Sequence, residues 1–313
     1  MIKGLRIGHW TDRDAGTGLT VFVVPEQATV AAAPRGQNPG TLNLATYDQY
    51  GCSDTVDAIV LTGGSCYGLT AASYLQNALA ERQRGVTVPG VVSAVVFDLE
   101  VGRVDWPELH AGHMAYEAAV VAGEEEVGTV GAGTGVTAGS VDGPGGATKG
   151  GFGRASRRTA QGPTVAAWAV VNPVGDVIGE DGRVLAGLRR DGHFHRVTEA
   201  FATDVQPEQE WGRATTLVVV AADARLTKRE AWRLAHAGHG GIAHAVTPCA
   251  TGLDGDTSFA VATGEVEVRN MLALEGVAAA VTAEAIRDAV RQATGLHGVP
   301  ALRELGPEGD ARV

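Results

Sequence analysis

Residues 215–222 constrain the possible fold more than any other part of the sequence. Two threonines and a leucine lead into an unbroken run of valine and alanine, with no charged side chain to face water. A strand that is apolar at every position is buried on both faces, whereas a strand with one solvated face alternates. The sequence therefore predicts an α/β sandwich whose layers follow the order helix, sheet, sheet, helix.

Other segments supply the remaining layers. Gly and Pro signals bound the predicted strands, which lie at residues 19–24, 58–61, 91–97, 165–171 and 256–263. Apolar spacing of three and four predicts the helices, at residues 66–84, 108–122, 228–236 and 270–294. Since no repeat or linker interrupts this series, we expect one domain over residues 1–313.

Two segments lack this periodicity. Residues 128–153 contain eleven glycines in twenty-six positions, a composition that lets backbone N–H groups approach another group closely. Residues 179–212 are polar with charges of both signs, and we expect a surface loop with a disordered tip there. The last dozen residues are expected to fray.

Charge and cysteine content exclude several classes of protein. The formal net charge is −11, and the basic cluster of Arg154, Arg157 and Arg158 is too small to neutralise the phosphates of a nucleic acid. The three cysteines have no framework spacing, which favours a reducing compartment. Since neither a signal-peptide pattern nor an apolar run of membrane-spanning length is present, we expect a soluble, cytoplasmic protein.

Thr215 and an acidic turn at Asp254 and Asp256 form the candidate reactive site. A threonine hydroxyl is a weak nucleophile until a base takes its proton, and its own α-amine can be that base once the chain is cut before it. Nearby carboxylates can polarise and orient such a pair. The pattern indicates an N-terminal-nucleophile hydrolase that cuts itself between Ala214 and Thr215. The plainer interpretations are a β-branched pair that opens a strand and a solvated Asp-Gly turn.

Two glycine motifs resemble a nucleotide-binding loop and a nucleophile elbow, but each lacks part of the corresponding sequence signature. Residues 131–135 fail the dinucleotide fingerprint because Val136 follows, and no P-loop lysine is present. Residues 63–65 resemble a nucleophile elbow, but Tyr67 stands in place of its second glycine. Ser65 is expected to be a helix N-cap. No cofactor is predicted.

Histidine clusters are the remaining candidates for a metal site. They are His110, His113 and Glu117 on one predicted helix face, His236, His239 and His244 close together, and His193 and His195 in a polar loop. None has the His-Glu-x-x-His arrangement of a zinc protease, so we interpret them as surface or capping residues. The Asp254/Asp256 turn has no histidine nearby in its motif, and we expect it to orient the nucleophile rather than to bind a metal.

Eight short motifs follow one another along the chain, at residues 15–18, 35–41, 58–65, 131–135, 149–153, 171–172, 214–216 and 254–257. In this order they resemble the family of DmpA-type aminopeptidases, which includes the β-peptidyl aminopeptidases and the nylon-oligomer hydrolases. A single glycine motif would be weak support, whereas eight in the family's order span most of the chain.

The resemblance implies roles for five positions. Thr215 matches the nucleophile, Asn172 an oxyanion donor and Lys149 a nearby cation, while Asp254 and Asp256 lie beside the nucleophile. A neutral amide donates to an oxyanion without titrating, and a lysine lowers the pKa of a nearby amine or holds a carboxylate in place. We therefore expect Lys149 and Asn172 to converge with Thr215 in one site.

The resemblance also implies processing and activity. The precursor is expected to cut itself into residues 1–214 and 215–313, within an architecture shared with the self-cleaving ornithine acetyltransferases. Ala214 departs from the asparagine common at this position in the nylon hydrolases, which bears on the efficiency of the cut. The predicted function is hydrolysis of amide bonds in small peptides, amino-acid amides or amide oligomers, by a homo-oligomer of processed chain pairs. A related acyltransferase and an unprocessed, non-catalytic homologue are the alternatives.

Overall fold

Strands make up much of the part of the chain that the structure describes. This computed structural model describes residues 2–83, 88, 90–160, 162–203 and 214–306. The strands are β1 Arg6–Asp12, β2 Thr17–Val23, β3 Thr29–Pro34, β4 Thr41–Leu42, β5 Ala58–Thr62, β6 Val91–Val95, β7 Val120–Val121, β8 Thr137–Ala138, β9 Thr148–Lys149, β10 Phe152–Arg158, β11 Thr164–Asn172, β12 Asp176–Ile178, β13 Val184–Ala186, β14 Arg189–Arg190, β15 His193–Phe194, β16 Thr215–Arg225, β17 Val246–Thr247 and β18 Thr257–Glu267.

Helices connect and cover these strands. They are α1 Leu44–Tyr47, α2 Leu69–Gln83, α3 Ala111–Glu117, α4 Val197–Thr203, α5 Lys228–Ala245 and α6 Met271–Gln292. Short 3₁₀ turns lie at Ser65–Gly68, Gly131–Gly133, Ser140–Asp142, Pro144–Gly146 and Leu302–Glu304. No helix within the described ranges is long and apolar enough to cross a lipid bilayer.

The apolar strand β16 is the central strand of its sheet. Within the described residues that sheet has the order β10-β11-β16-β18-β3. β16 pairs antiparallel with β11 and parallel with β18. A parallel pair needs a crossover, and α5 provides it, beginning at a capping box formed by Thr227 and Glu230. Because β16 is central, the last residue of β11 and the first residue of β18 both lie close to its beginning.

The second sheet lies against the first. Its described strands have the order β4-β6-β5-β2-β1-β7, with β5 and β6 parallel and joined through α2. Leu61 and Phe22 of this sheet belong to the same apolar cluster as Trp168 and Val219 of the first sheet. The inner faces of the two sheets therefore share one core.

Alternation along the strands separates the layers. In β11, Ala166, Trp168 and Val170 face the second sheet, whereas the odd-numbered Val165 and Ala167 pack beneath α5 and α6. A further apolar cluster lies between the outer face of the second sheet and helices α2 and α3. The layers thus follow the order helix, sheet, sheet, helix, which confirms the predicted sandwich.

Helix α5 extends nine residues further than the sequence predicted, to Ala245. The glycines at 238 and 241 do not end the helix, and both lie where it touches its neighbours. A Cβ on Gly238 would lie 2.3 Å from the Ser258 hydroxyl oxygen, and one on Gly241 would lie 2.4 Å from the Thr282 Cβ. The glycines therefore allow close packing of α5 against β18 and α6.

Three other local predictions were wrong. Ser65 is not an N-cap, because it lies inside a 3₁₀ turn with φ +52° and the cap position is Gly64. The helix predicted at residues 108–122 is shorter, since only Ala111–Glu117 is helical. Residues 179–203 contain β13, β14, β15 and α4 instead of a loop. The predicted disordered tip and the frayed C-terminal end lie largely outside the described residues.

The described part of that segment contacts one buried carboxylate. Asp176 accepts hydrogen bonds from the backbone N–H groups of Leu188 at 3.0 Å and Val197 at 2.7 Å. Burial raises the pKa of Asp176 to about 6. A carboxylate with backbone donors on both oxygens organises a polar segment without apolar periodicity, which explains why the sequence pattern missed it.

Two histidines, the partly buried His9 and the buried His239, make stability depend on pH. Burial lowers the pKa of both His9 and His239 to about 4, from 6.5. Between these values the unfolded chain binds more protons, so both histidines lower the free energy of unfolding as the pH falls through this window. His239→Gln keeps a donor for the Ala33 carbonyl, which His239 Nε2 contacts at 2.6 Å, and cannot become charged.

We expect the His239→Gln variant to gain stability relative to the wild type between pH 6.5 and pH 4, by up to about 3 kcal/mol. Urea unfolding at a series of pH values measures this difference. Above pH 7 the difference should no longer change with pH. A difference that stays constant across the whole series would contradict the account.

Candidate active site

Thr215 begins β16 directly opposite Asn172, the last residue of β11. Residues directly opposite each other in an antiparallel pair have their side chains on the same face. That face lies between the sheets, because Leu217 and Val219 on the same side of β16 belong to the shared core. Thr215 is 4% exposed and Asn172 is 2% exposed. Two of the predicted site residues are therefore buried neighbours.

The peptide bond between Ala214 and Thr215 is buried, and two groups contact its carbonyl oxygen. The Thr215 hydroxyl donates to the Ala214 oxygen at 2.5 Å. The Gly255 N–H donates to the same oxygen at 3.0 Å. Ala214 also forms a parallel β-bridge with Asp254. The carbonyl beside the threonine hydroxyl is thus held in one orientation.

The acidic turn is built from hydrogen bonds to backbone groups. Asp256 accepts from the N–H of Thr216 at 2.6 Å and from that of Ala250 at 2.9 Å. Asp254 accepts from the N–H of Thr251 at 2.9 Å and from its hydroxyl at 2.6 Å. Asp256 therefore fixes the backbone immediately after Thr215, and Asp254 fixes the turn itself.

Both carboxyl groups of this turn have raised pKa values. Burial is the main cause for each, and the charge of Asp254 raises the pKa of Asp256 further. The pair therefore keeps a proton at a higher pH than a solvated aspartate does. Burial and the two aspartates also raise the pKa of the nearby Cys249 thiol to about 11. Cys249 is accordingly a neutral thiol, which is a poor nucleophile.

The Asn172 amide is oriented by two backbone groups. Its Oδ1 accepts from the N–H of Thr137 at 2.8 Å, and its Nδ2 donates to the carbonyl of Phe97 at 2.9 Å. These bonds establish which end of the amide is the donor. Asn172 thus links Thr215 to the glycine-rich segment and to the end of β6.

Lys149 is completely buried within the glycine-rich segment. Its Nζ donates to the carbonyl oxygens of Gly133 at 3.1 Å, Val136 at 2.9 Å and Gly150 at 3.0 Å. Burial lowers the pKa of Lys149 to about 7, while the charge of Asp98 opposes that effect. These three bonds use all three donors of an ammonium group. Lys149 therefore braces the segment, with Thr137 as its partner in the β8–β9 pair.

Asp98 is a buried charged residue that the sequence reasoning missed. It accepts from the Thr17 hydroxyl at 2.8 Å and from the Gly64 N–H at 2.6 Å. Burial raises the pKa of Asp98 to about 7, and these bonds and the charge of Lys149 counteract it. Asp98 directly follows Phe97, whose carbonyl binds Asn172. The sequence feature that could have identified Asp98 is its position immediately after a predicted buried strand.

The histidine clusters do not converge on a site. Among the described residues, no three His, Cys, Asp or Glu side chains are placed to hold a metal ion. His113 lies 3.7 Å from Glu117 on the surface of α3, and His236 lies 2.8 Å from the Arg35 guanidinium. His239 was predicted to be a surface or capping residue, and that is wrong. It is buried because α5 continues past it and packs this face on β3.

Solved structures share this layered fold. A β-aminopeptidase from Burkholderia sp. superposes with a TM-score of 0.70 over 98% of this chain and 89% of that one, at 23% identity. The L-aminopeptidase D-Ala-esterase/amidase from Ochrobactrum anthropi, described as a variant of the N-terminal-nucleophile (Ntn) hydrolase fold, superposes with a TM-score of 0.71. It covers 96% of this chain and 87% of that one at 17% identity. The architecture is that of the Ntn hydrolases.

Sequence comparison identifies the family. A family model for peptidase family S58 matches residues 2–302, so the chain belongs to this family of hydrolases. An uncharacterized aminopeptidase of Mycobacterium leprae is 39% identical over 296 residues, covering 85% of this chain and 78% of that protein. The 6-aminohexanoate-oligomer endohydrolase of Paenarthrobacter ureafaciens is 33% identical over 310 residues, covering 93% and 84%. The resemblance to the DmpA-type aminopeptidases is thereby confirmed.

Proposed function

We propose that this protein is a self-processing N-terminal threonine hydrolase that cleaves amide bonds in small peptides, amino-acid amides or amide oligomers. One observation carries the proposal: the Thr215 hydroxyl lies 2.5 Å from the carbonyl oxygen of the residue before it, in a buried site opposite Asn172. Because the chain belongs to a peptidase family, we interpret this contact as that of a nucleophile with the carbonyl group that it attacks.

The first step is an acyl shift within the chain. The Thr215 hydroxyl oxygen attacks the Ala214 carbonyl carbon, the C–N bond breaks, and the hydroxyl proton ends on the Thr215 nitrogen. Water then hydrolyses the resulting ester, which leaves the Ala214 carboxylate and a free Thr215 with both hydroxyl and amine. The products are residues 1–214 and residues 215–313.

The processed site then repeats this chemistry on a substrate. The Thr215 amine takes the hydroxyl proton, the hydroxyl oxygen attacks the substrate carbonyl, and the amine returns the proton to the leaving nitrogen. Water then hydrolyses the acyl-enzyme ester, which releases the acid and restores the Thr215 hydroxyl. Asn172 donates to the oxyanion, while Asp254 and Asp256 orient the backbone around the nucleophile. Lys149 acts through the glycine-rich segment that positions Asn172. We propose that it is a positioning residue and not a proton carrier.

The names of the relatives guide the choice of substrates. One relative is named an uncharacterized aminopeptidase and another a 6-aminohexanoate-oligomer endohydrolase, and both names denote hydrolysis of amide bonds. We therefore propose assays with amino-acid anilides, dipeptides that contain α- or β-amino acids, and short 6-aminohexanoate oligomers. Addition of an amine acceptor distinguishes hydrolysis from acyl transfer, because a transferase forms a new amide in place of the free acid.

A denaturing gel of purified protein is the first test of the proposal. We expect two bands, corresponding to residues 1–214 and 215–313. Activity should survive treatment with a chelator, because the carboxylates of the Asp254/Asp256 turn are committed to backbone donors. A single band together with loss of activity that zinc or manganese restores would refute the proposal.

Asn172→Asp provides a test of the proposed oxyanion donor. The variant replaces the Nδ2 donor with an oxygen that faces the Phe97 carbonyl and cannot donate when ionised. We expect kcat to fall by about 10²–10³-fold with a smaller change in KM. Asn43→Asp is the matched control, because Asn43 Nδ2 also donates to a backbone carbonyl, that of Val91, at 2.9 Å. Equal activity of the two variants would contradict the role of Asn172.

A further inference from the structure

We infer that the backbone N–H of Gly255 is an oxyanion donor that acts twice, first on the Ala214 carbonyl during self-cleavage and then on the carbonyl of the substrate. The inference rests on the proposed function and adds a specific donor to it. It also defines where the acyl residue of a substrate binds. That residue takes the place that Ala214 holds in the uncut chain.

The first observation is the position of the donor. Gly255 N–H is 3.0 Å from the Ala214 carbonyl oxygen, and this is the same oxygen that the Thr215 hydroxyl contacts. Attack by Thr215 converts that oxygen into an oxyanion. A donor already directed at it stabilises the charge as it develops, and the buried surroundings strengthen the interaction.

The second observation is that the donor is held in place before any reaction. The carbonyl oxygen of Asp254 accepts from the Asn38 N–H at 3.1 Å. The carbonyl oxygen of Asp256 accepts from the N–H groups of Arg35 at 2.9 Å and Gly36 at 3.0 Å. The residues on both sides of Gly255 are thus fixed by the chain that follows β3. A preorganised donor pays no reorganisation cost when the charge appears.

The third observation is the requirement for glycine at this position. A Cβ on residue 255 would lie 2.8 Å from the Asn38 carbonyl oxygen and 2.9 Å from Thr215 Oγ1. Any side chain would therefore press on the nucleophile itself. The absence of a Cβ lets the backbone N–H and the threonine hydroxyl reach the same carbonyl oxygen.

The cut then makes this donor available to a second carbonyl. Once the ester is hydrolysed, the Ala214 carboxylate can leave its β-bridge with Asp254. The nucleophile and the Gly255 N–H both remain where they were. A substrate carbonyl that reaches Thr215 along the same path meets the same donor. The acyl residue of the substrate therefore binds beside Asp254, and its carbonyl oxygen accepts a hydrogen bond from the Gly255 N–H.

Backbone ester substitution tests the donor directly. Incorporation of glycolic acid in place of Gly255 replaces the N–H by an oxygen and adds no side chain. We expect the first-order rate constant of self-cleavage, followed by intact mass, to fall by about 10²–10³-fold. The slowly cleaved material should show a similar loss in kcat per cleaved molecule, with little change in KM.

Gly182 is the matched control, because its N–H donates to the Gly179 carbonyl oxygen at 3.1 Å in the turn between β12 and β13 and takes no part in holding Gly255 or Thr215. Glycolic acid at position 182 should leave self-cleavage close to the wild-type rate. Equal rates for the two esters, whether both fast or both slow, would overturn the inference. Slow self-cleavage with normal turnover would overturn the second role. A wild-type chain that never cuts would instead reject the proposed function.

Discussion

Thr215→Ala is expected to remain a single chain of 313 residues with no amide hydrolysis above background. The variant lacks the hydroxyl oxygen that contacts the Ala214 carbonyl, so neither the acyl shift nor the later attack on a substrate can occur. Triad-type sites lose about 10⁶-fold in kcat when the nucleophile is removed. Intact mass and an anilide assay on the same sample measure both effects.

Two further variants make this result specific. Thr215→Ser keeps a hydroxyl on the same path, so we expect it to cut and to retain part of the activity. Thr216→Val is the matched control, because the Thr216 hydroxyl is buried without a hydrogen-bond partner among the described residues. Its replacement by an isosteric apolar side chain should be neutral or stabilising. Normal cutting by Thr215→Ala, or loss of cutting in Thr216→Val, would contradict the assignment of the nucleophile.

Lys149→Met is expected to lower the free energy of unfolding by about 3–5 kcal/mol, because it leaves three buried carbonyl groups without their donor and removes a buried positive charge. The carbonyl oxygens are those of Gly133, Val136 and Gly150, and the lost charge favours the ionised form of Asp98. Urea unfolding in the Thr215→Ala background measures the effect on uncut chains.

Lys228→Met is the control for this prediction. Lys228 Nζ also donates to two carbonyl oxygens, at 2.9 Å to Val30 and 2.5 Å to Ser53, but the residue is only partly buried. Water can replace those bonds, so the expected loss is about 1–2 kcal/mol. Equal losses of unfolding free energy in the two variants would contradict the larger contribution that we assign to the buried Lys149.

The sequence predicted the central strands because their signal is local. The residues of β11 and β16 are almost all apolar, and a continuous apolar run indicates a fully buried strand without knowledge of its neighbours. Asn172 and Thr215 were each placed at the end of such a strand. Their pairing depends on the register between two strands, and an apolar run on its own does not specify register.

The environment of Lys149 could not be predicted in the same way. Its hydrogen-bond partners are backbone carbonyls, and any residue type supplies a carbonyl. The glycines around it indicated close backbone approach but not the group that is approached. The opposite holds for Asp98, which left a visible signal as a charged residue directly after a buried strand.

Gly255 shows how one residue can be interpreted in two ways. In the sequence it belongs to an Asp-Gly pair, which is common in solvated turns. In the structure its N–H donates a hydrogen bond to the Ala214 carbonyl oxygen, and a Cβ would lie 2.9 Å from Thr215 Oγ1. The turn is buried instead of solvated because it contacts the residues after β3, which are more than two hundred positions away in the chain.

We propose that Thr215 acquires its catalytic amine through the cut before it. Intact mass and amide hydrolysis, followed together in freshly synthesised protein, test this most directly. We predict that activity rises in proportion to the fraction of chains cut between Ala214 and Thr215, and that uncut chains contribute none. A full-length protein of 313 residues with full amidase activity would contradict the account.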